Sequence, residues 1–193
     1  MPKYNVAQLQ QFFLEAAAKT YAGGAQKTTI SELAGSKVYW HQVGELCYVD
    51  AYFTNGEYSG GQTLIYVRGV PAWIMQYHGW AKDDDPEVLK FLKRALSAAY
   101  ECGEFHGGRG PLKLNDPEIG LTYMNMCAVE PYQAPGMVLG PLYQSIPFHN
   151  LSHKKRAFTC FGGRESIIRR TESVFVGTVF WHRYQGLLLG EAE

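Results

Sequence analysis

At 193 residues, with 46% hydrophobic and 14% aromatic residues, the chain has the length of one domain and enough apolar material for a sizeable core. Eighteen basic and eighteen acidic residues cancel, which removes any bulk electrostatic attraction to nucleic acid or to an anionic membrane. Cys47, Cys102, Cys127 and Cys160 form no Cys-x-x-Cys pair and are expected to be reduced, mostly buried thiols. The opening Met-Pro-Lys-Tyr-Asn-Val lacks the blocks of a signal peptide, and no run approaches the ~18 apolar residues of a membrane span, so a cytoplasmic location is expected.

In chain order, Val6, Leu9, Phe12, Phe13, Ala16 and Ala17 form a helical stripe over Val6 to Thr20. Asn5 caps its start, Gln8 sits three residues on as in a capping box, and Gly23-Gly24 stops it. Strands are predicted at Lys37 to His41, Glu45 to Phe53, Gln62 to Val67 and Ala72 to Gly79, and the short turn clusters between them imply an antiparallel meander. Within Gln62 to Trp80, Arg68-Gly69-Val70-Pro71 supplies a tight turn. Trp73, Met75 and Tyr77 then alternate in face with Ile74, Gln76 and His78. Neither face is charged, which predicts a mid-sheet hairpin covered at least partly on both sides.

Asp83-Asp84-Asp85 and Pro86 announce a second helix carrying Val88, Leu89, Leu92, Ala95, Leu96 and Ala99, ended by Gly103. Gly120 to Val129, Ala157 to Phe161, Ser166 to Arg169 and Val174 to Tyr184 are read as strands that extend or close the same sheet. Pro131 to Asn150 holds four prolines among apolar residues and is read as an ordered loop over the sheet, not a linker. These elements predict an α+β fold: one domain over 1–193, a curved antiparallel β-sheet and two principal helices packed on it.

No motif announces a reaction. Phe105-His106-Gly107-Gly108-Arg109-Gly110-Pro111 is the most site-like loop, because glycines admit close backbone approach and Arg109 is a forked donor for a carboxylate or phosphate. An ordinary tight turn with an exposed arginine has the same composition. His149 with His153 and Cys102 with His106 have four-residue spacing but no third ligand, so no metal and no cofactor is predicted. Cys47 and Cys127 lie in apolar strand runs, where inert burial is expected, and Glu57, Glu104, Glu130 and Glu165 lie near predicted turns, where a solvated carboxylate is expected. The basic stretch His153 to Glu172 reads as a solvated strand pair, with no nucleic-acid partner. The excess of Tyr and Trp in strands suggests that part of the sheet faces a cavity, with Tyr48, Asp50, Tyr52, Trp73, Met75 and Tyr77 sharing a concave side.

Tyr21-Ala22-Gly23, Tyr58-Ser59-Gly60-Gly61-Gln62, Val70 to Gly79, Phe91-Leu92 with Ala95-Leu96, Arg109-Gly110-Pro111 and Phe161-Gly162-Gly163-Arg164-Glu165-Ser166-Ile167 together resemble the bacterial DUF5680 family of uncharacterised domains. In that family the domain also occurs behind a helix-turn-helix DNA-binding domain, which implies a sensing or ligand-binding role. The chain is expected to depart from the pattern in lacking such an N-terminal domain, in a longer Pro-rich insertion, and in Gln62 where relatives often carry an acid. If that acid were catalytic, Gln62 would argue against an enzyme.

The function expected is non-enzymatic binding of a small-molecule ligand by Tyr58, Trp73, Tyr77, His106, Arg109, Trp181 and His182. The enzyme alternative is a hydrolase or isomerase using His106 or His182 with Glu57 or Glu165, and the structural alternative is a homodimeric interaction module.

Overall fold

The computed structural model describes residues 2–129, 157–170 and 175–192. The predicted Pro-rich loop at 131–150 and the His149/His153 pair lie outside them. Strand β1 (Lys3–Tyr4) leads into helix α1 (Val6–Lys19), where the Asn5 side chain accepts the Gln8 amide at 3.0 Å and supplies a partner to one of the orphan donors of the first turn. Leu9, Phe12, Phe13, Ala16 and Ala17 are buried at helical spacing. The helix ends at Thr20, whose hydroxyl donates back to the Ala16 carbonyl at 2.8 Å.

Strands β3 (Leu33–Val43), β4 (Leu46–Asn55), β5 (Tyr58–Val67) and β6 (Val70–Ala81) form the expected meander, preceded by a short strand that was not predicted, β2 (Thr28–Ile30), which pairs with β3. The β5–β6 turn is tighter than the sequence suggested. Arg68 and Gly69 alone make it, both with positive φ (54° and 77°), the backbone that matches the twist of two antiparallel strands. Val70 and Pro71 belong to β6, and Pro71 sits beside the register slip opposite Ile65/Tyr66, where a missing N–H does least harm to the ladder.

Helix α2 (Pro86–Glu101) is capped by Asp85, which accepts the Glu87 amide at 2.9 Å. Asp83 and Asp84 do not cap it but lie in a short 3₁₀ turn before it. Val88, Phe91, Leu92, Ala95, Leu96, Ala99 and Tyr100 are buried, and Gly103, at φ 71°, turns the chain away.

The second half contributes β7 (Lys113–Asp116), β8 (Leu121–Val129), β9 (Cys160–Arg170), β10 (Phe175–Leu188) and β11 (Glu191–Ala192). β11 pairs parallel with β1, and the other strands form one antiparallel sheet in the order β2-β3-β4-β5-β6-β10-β9-β8-β7. Two meanders therefore meet where β6 pairs with β10. β6 is central, as its uncharged pattern predicted, and Trp73, Met75 and Tyr77 are buried, but its other face is less covered than expected: Gln76 and His78 are exposed. Where two strands were predicted around Gly162-Gly163, β9 runs through as one, because both glycines pair with β8 and β10 and a Cβ at Gly163 would strike the Tyr184 hydroxyl.

Both helices lie on one face of the sheet, and Phe13 from α1 and Leu92 and Leu96 from α2 join Ile65, Trp73 and Phe180 from the strands in one core. Leu92→Ala should cost roughly 2 to 5 kcal/mol in denaturant-unfolding measurements, since the side chain is fully buried between helix and sheet.

Candidate functional site

Register places polar side chains in rows across the inner face of the sheet. Asn125 on β8 lies opposite Glu165 on β9, which lies opposite His182 on β10, then Gly79 on β6 and Ser59 on β5. Gly79 is the gap in this row. A Cβ there would collide with the Trp181 carbonyl and the His182 ring. Without one, the imidazole lies across β6 and its Nε2 meets Ser59 Oγ at 2.9 Å. On its other side, His182 Nδ1 faces Glu165 Oε1 at 3.4 Å. In a neighbouring row, Asp50 on β4 lies opposite Thr63 on β5. Asp50 Oδ1 accepts the Thr63 hydroxyl at 2.9 Å and the Tyr77 hydroxyl at 2.8 Å.

The loop after α2 closes over this face. Gly107 and Gly108 take positive φ, 68° and 69°. What the glycines approach closely is the protein itself: side chains at 107, 108 and 110 would strike Tyr184, Phe13 and Tyr123. The loop is pinned by Tyr100 donating to the Gly108 carbonyl at 2.8 Å and by Asn125 Nδ2 donating to the His106 and Gly110 carbonyls, each at 2.9 Å. Arg109 is thereby turned inward, only 7% exposed, against the alternative reading of an exposed turn arginine. Its Nε donates to Glu165 Oε1 at 2.8 Å, with a second bond from the guanidinium to the same oxygen, and Tyr123 donates to Glu165 Oε2 at 2.6 Å. Glu165, expected to be solvated near a turn, is 0% exposed in the middle of β9.

Burial alone would raise the Glu165 carboxyl, but the Arg109 guanidinium and His182 outweigh it and bring the pKa down to about 2. His182 is lowered, chiefly by burial, against the opposing pull of Glu165, and so is neutral at pH 7. Asp50 is raised by burial, which exceeds the stabilisation from the Tyr77 and Thr63 hydroxyls and from Arg109. Two of the thiols are poor nucleophiles: burial pushes Cys127 up to about 11 and also raises Cys47. Cys102 is exposed and the other three are half-buried, a wetter set than predicted.

Between the helices and the sheet lies a cavity of about 310 Å³. It is bordered by Tyr21, Tyr39, Tyr48, Tyr52 and Tyr77, by Asp50, Thr63 and Ser59, and by Arg109 and His182. Tyr39 on β3 and His182 on β10 stand four strand spacings apart, about 19 Å along the sheet, so the sheet bends round the helices to bring both to one space. Of the residues named from sequence, Tyr77, Arg109 and His182 border the cavity and Tyr58 stands at its rim, 65% exposed. The other three do not. Trp73 is core, stacked 4.9 Å from Phe158 and donating to its carbonyl. His106 pairs with Glu104 at 2.9 Å in the loop, and Trp181 lies on the outer face against His78. Glu57 is at the rim, accepting from Trp80, and Gln62 is exposed on the outer face, away from the cavity.

Ser59 and Thr63 were missed as site residues, and Asp50 was placed on the concave side without a role. The available signal was their period-two spacing with Gly61 and Ile65, or with Tyr48 and Tyr52, on strands otherwise rich in apolar residues. Among the described residues no three His, Cys, Asp or Glu side chains cluster as metal ligands. Arg169, within the basic stretch, is paired with Asp85 at 2.8 Å and Glu87 at 3.1 Å. No helix among the described residues is long and apolar enough to cross a membrane.

Fold and site together define a single-sheet α+β protein whose bent sheet and helix pair enclose a tyrosine-lined cavity floored by buried charges. Residues 50–114 match the family described as "Domain of unknown function (DUF5680)", in agreement with the resemblance carried by the sequence motifs. The matched stretch holds Asp50, Ser59, Thr63, Tyr77 and Arg109 but ends before Glu165 and His182. No curated protein and no solved structure matches the chain.

Arg109→Ala leaves Glu165 buried without its counter-charge and should cost roughly 3 to 5 kcal/mol at pH 7. Because Glu165 is depressed to about 2 from its ordinary 4.5, its contribution is full above 4.5 and lost as pH falls towards 2. The stability gap between wild type and variant, measured by urea unfolding, should therefore shrink as the pH is lowered through that window.

Proposed function

We propose that the protein binds a small organic molecule in the cavity between its helices and sheet, without transforming it, as a cytoplasmic ligand-binding or sensing domain. The observation that carries this reading is the cavity itself: at about 310 Å³ it is within the range of small-molecule sites, and its apolar and aromatic walls converge on a few fixed polar groups. The strongest charges are already committed, Glu165 to Arg109 and Tyr123, which suits a rigid recognition surface better than proton transfer. In a thermal-shift screen of metabolites, a compound present at about 100 times its dissociation constant should stabilise by roughly 2.7 kcal/mol. Ala22→Trp, a large side chain on the cavity wall and away from the buried ion pair, should abolish the shift while the ligand-free variant still unfolds in one cooperative transition. A library without a single hit, or a shift unaltered in Ala22→Trp, would remove the reading.

One observation favours a hydrolase instead. Ser59 Oγ, His182 Nε2 and Nδ1, and Glu165 Oε1 are strung together at 2.9 and 3.4 Å. That is the order in which an acyl-transfer site joins nucleophile, general base and orienting carboxylate. A fluorophosphonate probe decides between the two: stoichiometric labelling of wild type, lost in Ser59→Ala, would establish the hydrolase, and the binding reading expects none.

A further inference from the structure

The polar groups of the cavity differ in how they are neutralised, and the difference bears on ligand charge. Arg109 and Glu165 satisfy one another, and His182 meets Ser59 through Nε2 while its buried Nδ1 stands 3.4 Å from Glu165 Oε1 without a hydrogen bond. Asp50 is the exception. It is 5% exposed and borders the cavity, yet among the described residues no Lys, Arg or His nitrogen lies within ion-pair distance of it. Its partners are two neutral hydroxyls, Thr63 and Tyr77, both on Oδ1, and Oδ2 accepts no hydrogen bond among the described residues. A buried carboxylate in that position lacks the counter-charge that would offset its desolvation.

The walls show the same preference. Lys37 Nζ lies 5.6 Å from the centre of the Tyr52 ring, and Lys93 Nζ lies 5.1 Å from that of Tyr21. The Arg109 guanidinium lies 5.5 Å from the centre of Tyr77. Three of the cavity's tyrosines thus already hold cations against their electron-rich faces. At the rim, Lys27, Lys37 and Lys93 outnumber Glu57 and Asp84 by one, which disfavours a ligand carrying several positive charges.

Resting on the binding reading above, we propose that the ligand is a small organic monocation, an ammonium or amidinium on an apolar body, whose charged N–H groups donate to Asp50 while its body packs against the tyrosine rings. Such a ligand provides the counter-charge Asp50 lacks, and its N–H donors fit the open Oδ2.

The test is a charge series of one shape. Benzamidine, benzamide and benzoate are titrated into wild-type protein by calorimetry at pH 7.5. Benzamidine should bind at least tenfold more tightly than either of the others. In Asp50→Asn, whose amide oxygen still accepts from Thr63 and Tyr77, the preference should fall to within twofold. Benzoate binding tightest, or benzamidine binding undiminished in Asp50→Asn, overturns the proposal, and the wild-type series decides even if that variant does not fold. If benzamide binds as well as benzamidine and both are excluded by Ala22→Trp, the cavity remains a binding site and the cationic ligand class falls. If none of the three binds while neutral metabolites do, the outcome is the same. If nothing binds, the binding reading falls with it.

Discussion

The bond between Arg109 and Glu165 is the constraint to which the rest of the inner face is fitted. Taking a carboxylate and a guanidinium out of water costs several kcal/mol for each ion, and mutual attraction recovers that only with good geometry and with the remaining hydrogen-bonding positions filled. Here Tyr123 takes the second carboxylate oxygen, and the loop bearing Arg109 is drawn down until its backbone meets Tyr100, Tyr123 and Asn125. That close approach is why residues 107, 108 and 110 are glycine. The pair also joins the loop after α2 to β9, two parts of the chain 56 residues apart.

The strands answer the same demand with absent side chains. On the inner face Gly61 meets Tyr52, Gly79 meets His182, Gly163 meets Tyr184 and Gly186 meets Phe161. Gly79, Gly163 and Gly186 give up their own packing to seat a ring from the neighbouring strand, while Gly61 admits the Tyr52 backbone and Cβ, and interior glycines mark places where a sheet bends or a group approaches closely. The bend gives the cavity its volume. The tyrosine rings that line it give it walls that are apolar on their faces and hydrogen-bonding at their tips, as Tyr77 donating to Asp50 and Tyr100 donating to the Gly108 carbonyl show.

Within this frame two buried carboxyls with different surroundings have opposite tendencies. Glu165, between a guanidinium and an imidazole, is held ionised; Asp50, between two hydroxyls, resists ionisation. The first is structural in character, since its partners come from the protein. The second faces open space, and its unfilled electrostatic requirement is what an incoming molecule can meet.

Much of the architecture was legible in the chain because it is encoded locally. The stripe from Val6 to Ala17 with Asn5 before it, the Asp85-Pro86 helix start, and the alternation through Trp73, Met75 and Tyr77 each follow from side-chain period and backbone preference within a few residues, and each element formed where those signals lie. The aromatic concavity with Arg109 beside it was also foreseeable, as Tyr77, Arg109 and His182 show. Tertiary structure alone decided that Trp73 lies in the core beside the cavity and Trp181 on the outer face, that Glu165 is buried and that Ser59 touches His182. Gly162-Gly163 has the composition of a turn, and nothing near it in the chain reveals that Tyr184 will occupy the space above it. Those outcomes depend on β6 pairing with β10 and β10 with β9, and on the register of those ladders. A strand's own residues determine which of its side chains share a face, but the neighbour that each side chain meets is chosen by long-range pairing, for which the local sequence carries no period.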